Sequence, residues 1–190
     1  MPTTVRVVFQ GPREACLEEV PLPEPGRGEI LVRSLCSLIS TGTELTAYSG
    51  DFPADSAWAR YIRYPWVAGY ANVGEVIACG VDVDNVREGQ HVVSAGPHAS
   101  LVLVNADSLA PVPDGVSDED ASFLVLSTIS LVGVRLAQIS LGETVVVQGA
   151  GLVGQLATQY ARLSGGWPVI AVDLAESRLA TARAHGAPTL

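Results

Sequence analysis

The stretch GAGLVG at 149–154 is the densest chemical signal in the 190-residue chain. It follows the apolar run TVVVQ and opens a segment whose apolar residues recur at helical spacing. Gly149 permits a tight turn, Gly151 lets the backbone approach a pyrophosphate, and Gly154 lets a helix pack closely on a strand. The N–H groups at the start of that helix, around Leu152 and Val153, would face the anion. Asp173 closes the next buried strand. There it suits the hydroxyls of an adenosine ribose and repels a 2′-phosphate, which favours NAD(H) over NADP(H). Arg178, on the following helix, can pair with a phosphate or lie at the surface. A spaced glycine triplet alone is a weak signal, and a glycine turn without ligand is the plain alternative. The strand before it, the helix after it and the acid beyond it are what give it content.

The elements that must position these residues follow from period and punctuation. TVVVQ reads as an all-apolar strand of a parallel sheet covered on both faces. Leu152, Val153, Leu156, Ala157, Tyr160 and Ala161 mark a helix that Gly165 and Gly166 end. Val169–Val172 is a second buried strand, and 175–185 a second helix ended by Gly186. This β-α-β-α order predicts the first half of a parallel dinucleotide-binding domain. Residues 1–120 read instead as short strands broken by Gly and Pro, at 5–10, 16–20, 29–37, 74–78, 91–94 and 99–105. PLPEPGRGE at 21–29 is a turn-rich loop. Ser117 with Asp120 gives a helix-start signal for the apolar segment 121–139. That segment is expected to form a buried helix between two domains. Its uncharged part is shorter than the ~20 apolar residues of a membrane span.

Composition narrows the partners. Hydrophobic residues make up 48% of the chain, enough for a sizeable core, and the formal charge is −9. An acidic chain without a basic cluster argues against nucleic acid and anionic membrane. Cys16, Cys36 and Cys79 form no CxxC pair, so neither a disulfide framework nor a structural zinc knot is expected. They read as buried thiols in a reducing cytoplasm. MPTTVRVVF lacks the apolar core of a signal peptide and reads as a strand.

Taken together, the β-rich first part, PVPDGVSDEDASFL, GETVVVQGAGLVGQLATQYARLSG and VIAVDLAESRLATARAHGA resemble the medium-chain dehydrogenases/reductases, the zinc alcohol dehydrogenase superfamily. The resemblance covers essentially the whole chain. It implies an α/β protein: a β-rich GroES-like catalytic domain over 1–120, then a linker helix and a partial Rossmann domain over 121–190. It also implies an NAD(P)-dependent oxidoreductase acting on a small molecule, with Thr128 of LSTIS near the nicotinamide.

The departures from the family pattern carry as much content. Where zinc-dependent members begin a motif with a ligand Cys, STGTEL places Thr41, followed by Gly42, Thr43 and Glu44. Where they have the His of GHE, YPWVAGY places Tyr70, with Ala71 next. Neither Thr nor Tyr is a normal zinc ligand, so no metal is expected. STGTE with YPxxxGY is similar to the bacteriochlorophyllide-type dehydrogenase branch, a hint of a bulky alcohol or ketone. Without zinc, a carbonyl must be polarised by hydrogen bonding. Tyr70 is the expected donor to the substrate oxygen, Thr43 the proton relay, and Glu44 the residue that orients Tyr70. The competing reading is that Tyr70 only fills the vacated metal site. His98 is the remaining wet candidate, but in GPHAS it is expected to begin a surface strand; His91 and His185 are expected to be structural.

By resemblance a complete member continues past Leu190, and a two-stranded parallel fragment would leave edge and faces open. The expectations are a piece of a longer protein, completion by a partner or a homo-oligomer, or a non-redox enzyme of the same fold such as a cyclase or dehydratase.

Overall fold

A computed structural model describes residues 2–190 and divides into two compact units, the first ending at Val125 and the second spanning Leu126–Leu190. The first unit is built on antiparallel strands: β1 (Thr3–Gly11), β2 (Glu14–Pro21), β3 (Glu29–Ser37), β4 (Trp66–Val67), β5 (Asn72–Cys79), β6 (His91–Ser94), β7 (Leu101–Asn105) and β8 (Leu109–Pro111). Five of them form a sheet in the order β7-β3-β5-β6-β8, and three form a second in the order β2-β1-β4. β3, β5 and β6 bury consecutive residues, Ile30 to Val32, Asn72 to Gly74 and Val92 to Ser94, so both faces of these strands are covered. Ile30, Val32, Val76, Val92, Val86 and Ala106 meet in the main buried cluster.

Sequence periodicity does not show two short helices of this unit, α1 (Thr41–Ser49) and α2 (Ala57–Tyr61). STGTEL lacks an apolar helical stripe; Ala47 packs inward with Phe9, Ile62 and Ala68, and Tyr48 packs against the same cluster. The helix-start signal at Ser117 is used, since its hydroxyl accepts from the Asp120 N–H at 3.1 Å. It opens only the four-residue α3 (Asp118–Ala121), and the longer α4 (Leu124–Leu136) starts after a break.

In the second unit, β9 (Val145–Gln148), α5 (Leu152–Leu163), β10 (Val169–Val172) and α6 (Glu176–Ala184) follow α4. β9 and β10 pair in parallel, with Val145 opposite Val169 and Gln148 opposite Val172. On the far side of β10, Ala171 bridges Thr189 in parallel, so a third strand position begins at the end of the chain.

Several expectations are corrected. The apolar 121–139 segment is not buried all round: α4 buries Leu126, Ser130 and Val134 and exposes Ile129, Val132 and Leu136. β9 is not covered on both faces; Val146 is 60% exposed, because no layer among the described residues lies over it. The thiols are free but not buried: Cys16 is exposed and Cys36 and Cys79 are half-buried. Burial pushes the Cys36 and Cys79 thiols up from their ordinary values, helped by Asp118 and Glu119 at the first and Glu88 at the second. Among the described residues, no helix is long and apolar enough to cross a membrane.

Candidate active site

The second unit carries the glycine turn. β9 delivers the chain to Gly149, whose φ of +94° is the left-handed conformation glycine adopts without strain. The Gly149 N–H donates to the Val172 carbonyl at 2.7 Å, tying the turn to β10. A Cβ on Gly154 would sit 1.8 Å from the Gly149 oxygen, so the helix start and the turn touch. A Cβ on Gly151 would meet nothing within 4 Å. The backbone there faces open space at the N-terminal end of α5, where Leu152 and Val153 begin the helix. Such a cradle fits an anionic group, because helix N-terminal N–H groups lack intrahelical partners.

Asp173 braces the cradle. Its Oδ2 accepts from the Ala150 N–H at 2.7 Å and its Oδ1 from the Ala175 N–H at 2.8 Å. Arg178 Nη1 stands 3.5 Å from Oδ2. The Ala175 and Ala150 N–H groups, with a smaller push from Arg178, hold the carboxyl below the usual carboxylate range, against the opposing effect of burial. Gln148, Gly149, Asp173, Leu174 and Arg178 line a cleft of about 610 Å³. Thr128 stands on the exposed side of α4 and is not among the residues lining that cleft.

The first unit carries a cluster of hydroxyls. Tyr70 donates its phenol proton to Ser40 Oγ at 2.5 Å and lies 3.2 Å from Thr43 Oγ1. Ser40 is the N-cap residue of α1, yet its hydroxyl makes no cap bond and is left to Tyr70. Glu44 ties the helix start instead. Its Oε1 accepts from the Ser40 N–H at 2.8 Å, while its own N–H donates to the Ser40 carbonyl at 2.9 Å. The expected contact of Glu44 with Tyr70 is therefore corrected: the carboxylate acts on the Ser40 backbone and on His98, whose Nε2 is 2.7 Å from Oε2.

The surface placement of His98 is corrected too. Its side chain is 11% exposed and that of Glu44 is 4% exposed. His98 Nδ1 lies 2.8 Å from Ser37 Oγ, and the next strand starts only at Leu101. Ser37 and Ser40 are the members that sequence reasoning missed, and His98 is a candidate that it placed at the surface. His91 pairs with Asp118, 27 residues on, at 2.9 Å, and His185 Nδ1 sits 2.8 Å from the Thr181 carbonyl, a local contact.

Thr43, Glu44 and Tyr70 thus come together, as do Gly149, Asp173 and Arg178. The Tyr70 phenol is bonded to hydroxyls, and the nearby carboxylate and imidazole are bonded to each other. Among the described residues, no group of three or more His, Cys, Asp or Glu side chains could hold a metal ion.

An alcohol dehydrogenase of Moraxella sp. (strain TAE123) is 30% identical over 203 residues, covering 90% of this chain. That match, on a β-rich unit followed by a glycine-turn βα unit, decides the family. The chain belongs to the medium-chain dehydrogenase/reductase superfamily, the alcohol dehydrogenase-like class. No family model matches the chain. Among solved structures of the superfamily, acetophenone reductase from Geotrichum candidum, in complex with NAD, superposes with a TM-score of 0.85 at 25% identity. The match covers 100% of this chain and 64% of that one. A dehydrogenase from Sinorhizobium meliloti, described as a candidate zinc-binding enzyme and bound to NADP, gives 0.81 at 23% identity, over 100% and 62%. The chain spans about three fifths of the length of the curated relatives it matches, 58% of the Moraxella protein and 57% of the next.

Proposed function

We propose that this chain carries the catalytic hydroxyls and the adenosine-side cofactor site of a zinc-independent, NAD(H)-dependent oxidoreductase. The reaction interconverts an alcohol and a carbonyl, or reduces an activated double bond. The domains are assigned as 1–120 for the substrate chemistry and 121–190 for the linker helix and cofactor. The observation that carries the reading is the open cradle at Gly151, closed from behind by the Gly149–Gly154 contact and braced by Asp173. Dehydrogenase relatives support the reaction class, and solved relatives holding NAD or NADP support a nicotinamide cofactor. An ionised carboxylate at Asp173 favours NAD(H), since it would repel a 2′-phosphate. Each oxygen keeps a lone pair for ribose after its backbone bond.

When bound, the nicotinamide supplies the hydride. Tyr70 hydrogen-bonds the carbonyl oxygen and gives it the proton, and Thr43 and Ser40 hold the phenol and relay its replacement. Thr41 and Tyr70 at the positions of the family's metal ligands support zinc independence. Thr128 is assigned to the nicotinamide side and Arg178 to the phosphate side. Free thiols suit a reducing, cytoplasmic setting. The uncovered edge of β9 suits completion by further polypeptide, in a second copy or a partner.

Titration of the chain with NADH, followed by quenching of its three tryptophans, tests the reading. Saturable binding that is lost in Gly151→Val and Asp173→Ala is the expected result. No binding at millimolar NADH overturns it for this chain.

A further inference from the structure

His98 joins, by its backbone and its ring, the segments that build the hydroxyl cluster. Its N–H donates to the Ala68 carbonyl at 2.9 Å, two residues before Tyr70, and its carbonyl accepts from the Val7 N–H at 2.9 Å. Its ring reaches Ser37 at the end of β3 through Nδ1 and Glu44 on α1 through Nε2. Glu44 in turn holds the Ser40 N–H, and Ser40 holds the phenol of Tyr70. The ring has room only because position 69 is glycine. A Cβ on Gly69 would lie 2.4 Å from the His98 N and 2.7 Å from its Cγ, and the φ of +94° there disfavours any side chain. Asn72 adds a brace from behind: its Nδ2 donates to the Pro97 carbonyl at 3.1 Å, fixing the residue before His98.

We propose that His98 is a positioning residue, which aims Tyr70 by holding Glu44, and through Glu44 the Ser40 cap, at one fixed place. The inference rests on the reading of Tyr70 as proton donor but needs no cofactor for its test. A buried carboxylate is costly unless its oxygens are satisfied. Glu44 has two fixed donors, the Ser40 N–H and the His98 ring. Removal of the ring leaves one oxygen buried and unpaired, so the carboxylate turns away and releases Ser40. The active pair is therefore an Nε2–H tautomer, or an imidazolium, facing an ionised Glu44. Ser37 sits on the opposite nitrogen and serves either form, because a hydroxyl can donate or accept.

Two near-isosteres separate the two bonds of the ring. The amide nitrogen of glutamine reaches about as far as Nε2 and that of asparagine about as far as Nδ1. His98→Gln keeps the link to Glu44, and His98→Asn keeps only the link to Ser37. The readout is the NMR signal of ring-labelled tyrosine in the 190-residue chain, whose five tyrosines are assigned by Tyr→Phe variants. In His98→Asn the Tyr70 signal moves to that of the exposed Tyr61, while the other four stay. In His98→Gln the Tyr70 signal keeps its wild-type place, and Glu44→Ala, which removes both links, moves it as His98→Asn does. Overturning results are a Tyr70 signal unmoved in His98→Asn, equal effects of Gln and Asn, or a common shift of all five tyrosines, which marks general loosening. Absence of NADH binding alongside the expected tyrosine pattern would remove the dehydrogenase reading and leave the positioning chain standing.

Discussion

At the scale of single residues, Asp173 couples the cofactor cradle to pH. Its carboxyl is held below the usual range by the Ala175 and Ala150 N–H groups and Arg178. A depressed folded-state value contributes stability above the unfolded-chain value of about 3.9 and loses it as pH falls through the folded value. The second unit should therefore keep this contribution from pH 7 down to about 5 and shed it below about 4. Asp173→Asn should start less stable at pH 5 and show a shallower acid loss. Urea melts at pH 5 and pH 3 on both proteins check this, and equal acid sensitivity in the two would refute it. The Asp173 position was legible because its meaning is local: an acid at the end of the strand after a glycine turn. Tyr70 and Thr43 were legible through the family resemblance of STGTEL and YPWVAGY. His98 was noticed but placed at the surface, because its partners Glu44 and Ser37 lie 54 and 61 residues away, and no local pattern predicts that return. Glu44 was found but given the wrong partner for the same reason. Ser40 hid behind an ordinary role, since a serine before a helix reads as a cap, and here its hydroxyl serves the phenol instead.

At the scale of elements, the turn between β9 and α5 depends on one contact that a methyl group abolishes. Gly154→Ala would place a Cβ 1.8 Å from the Gly149 oxygen, against backbone that cannot swing aside like a side chain. Overpacking of this kind costs about 1–3 kcal/mol, and relief requires the turn to move out of the cradle. The variant should melt earlier and bind NADH more weakly together. Gly133→Ala is the matched control: it lies on α4 with nothing within 4 Å of the added carbon. That change should stabilise by about 0.5–1 kcal/mol, the helix-propensity difference between Gly and Ala. Thermal melts with NADH titration separate the two, and a Gly154→Ala protein as stable as wild type would show that the contact is looser than described. Strands and helices in this region follow the sequence closely, with Val169–Val172 recovered to the residue, because punctuation and period agree there. α1 escaped for the converse reason. Its residues have almost no apolar stripe, and Glu44 with Ser40 fixes its start by a bond that binary pattern does not encode.

At the scale of the whole molecule, the two units are unequally built. The first holds three buried clusters, around Ile30, Phe9 and Val73. The cluster found in the second is three alanines, Ala171, Ala182 and Ala187. Alanine buries little area, and apolar burial stabilises by roughly 25 cal/mol per Å². Meanwhile Val146, Leu136, Leu163 and Trp167 stay exposed, and β9 pairs on one side only among the described residues. A two-stranded sheet with one thin layer is marginal on its own. The second unit should therefore open at lower denaturant than the first, as a separate cooperative step. Native-state hydrogen exchange in rising urea resolves this. The Val169 and Ala171 amides should exchange through openings of a few kcal/mol, and the Val32 and Val76 amides through openings nearer the 5–15 kcal/mol of a stable domain. On the proposed placement of the adenosine end in the cradle, NADH at saturation should raise the first set most, by RT ln(1 + [L]/Kd). A single transition shared by both sets would mean that the second unit draws its stability from the first. In that case the exposed face of β9 would not be the weak point that its thin cover implies.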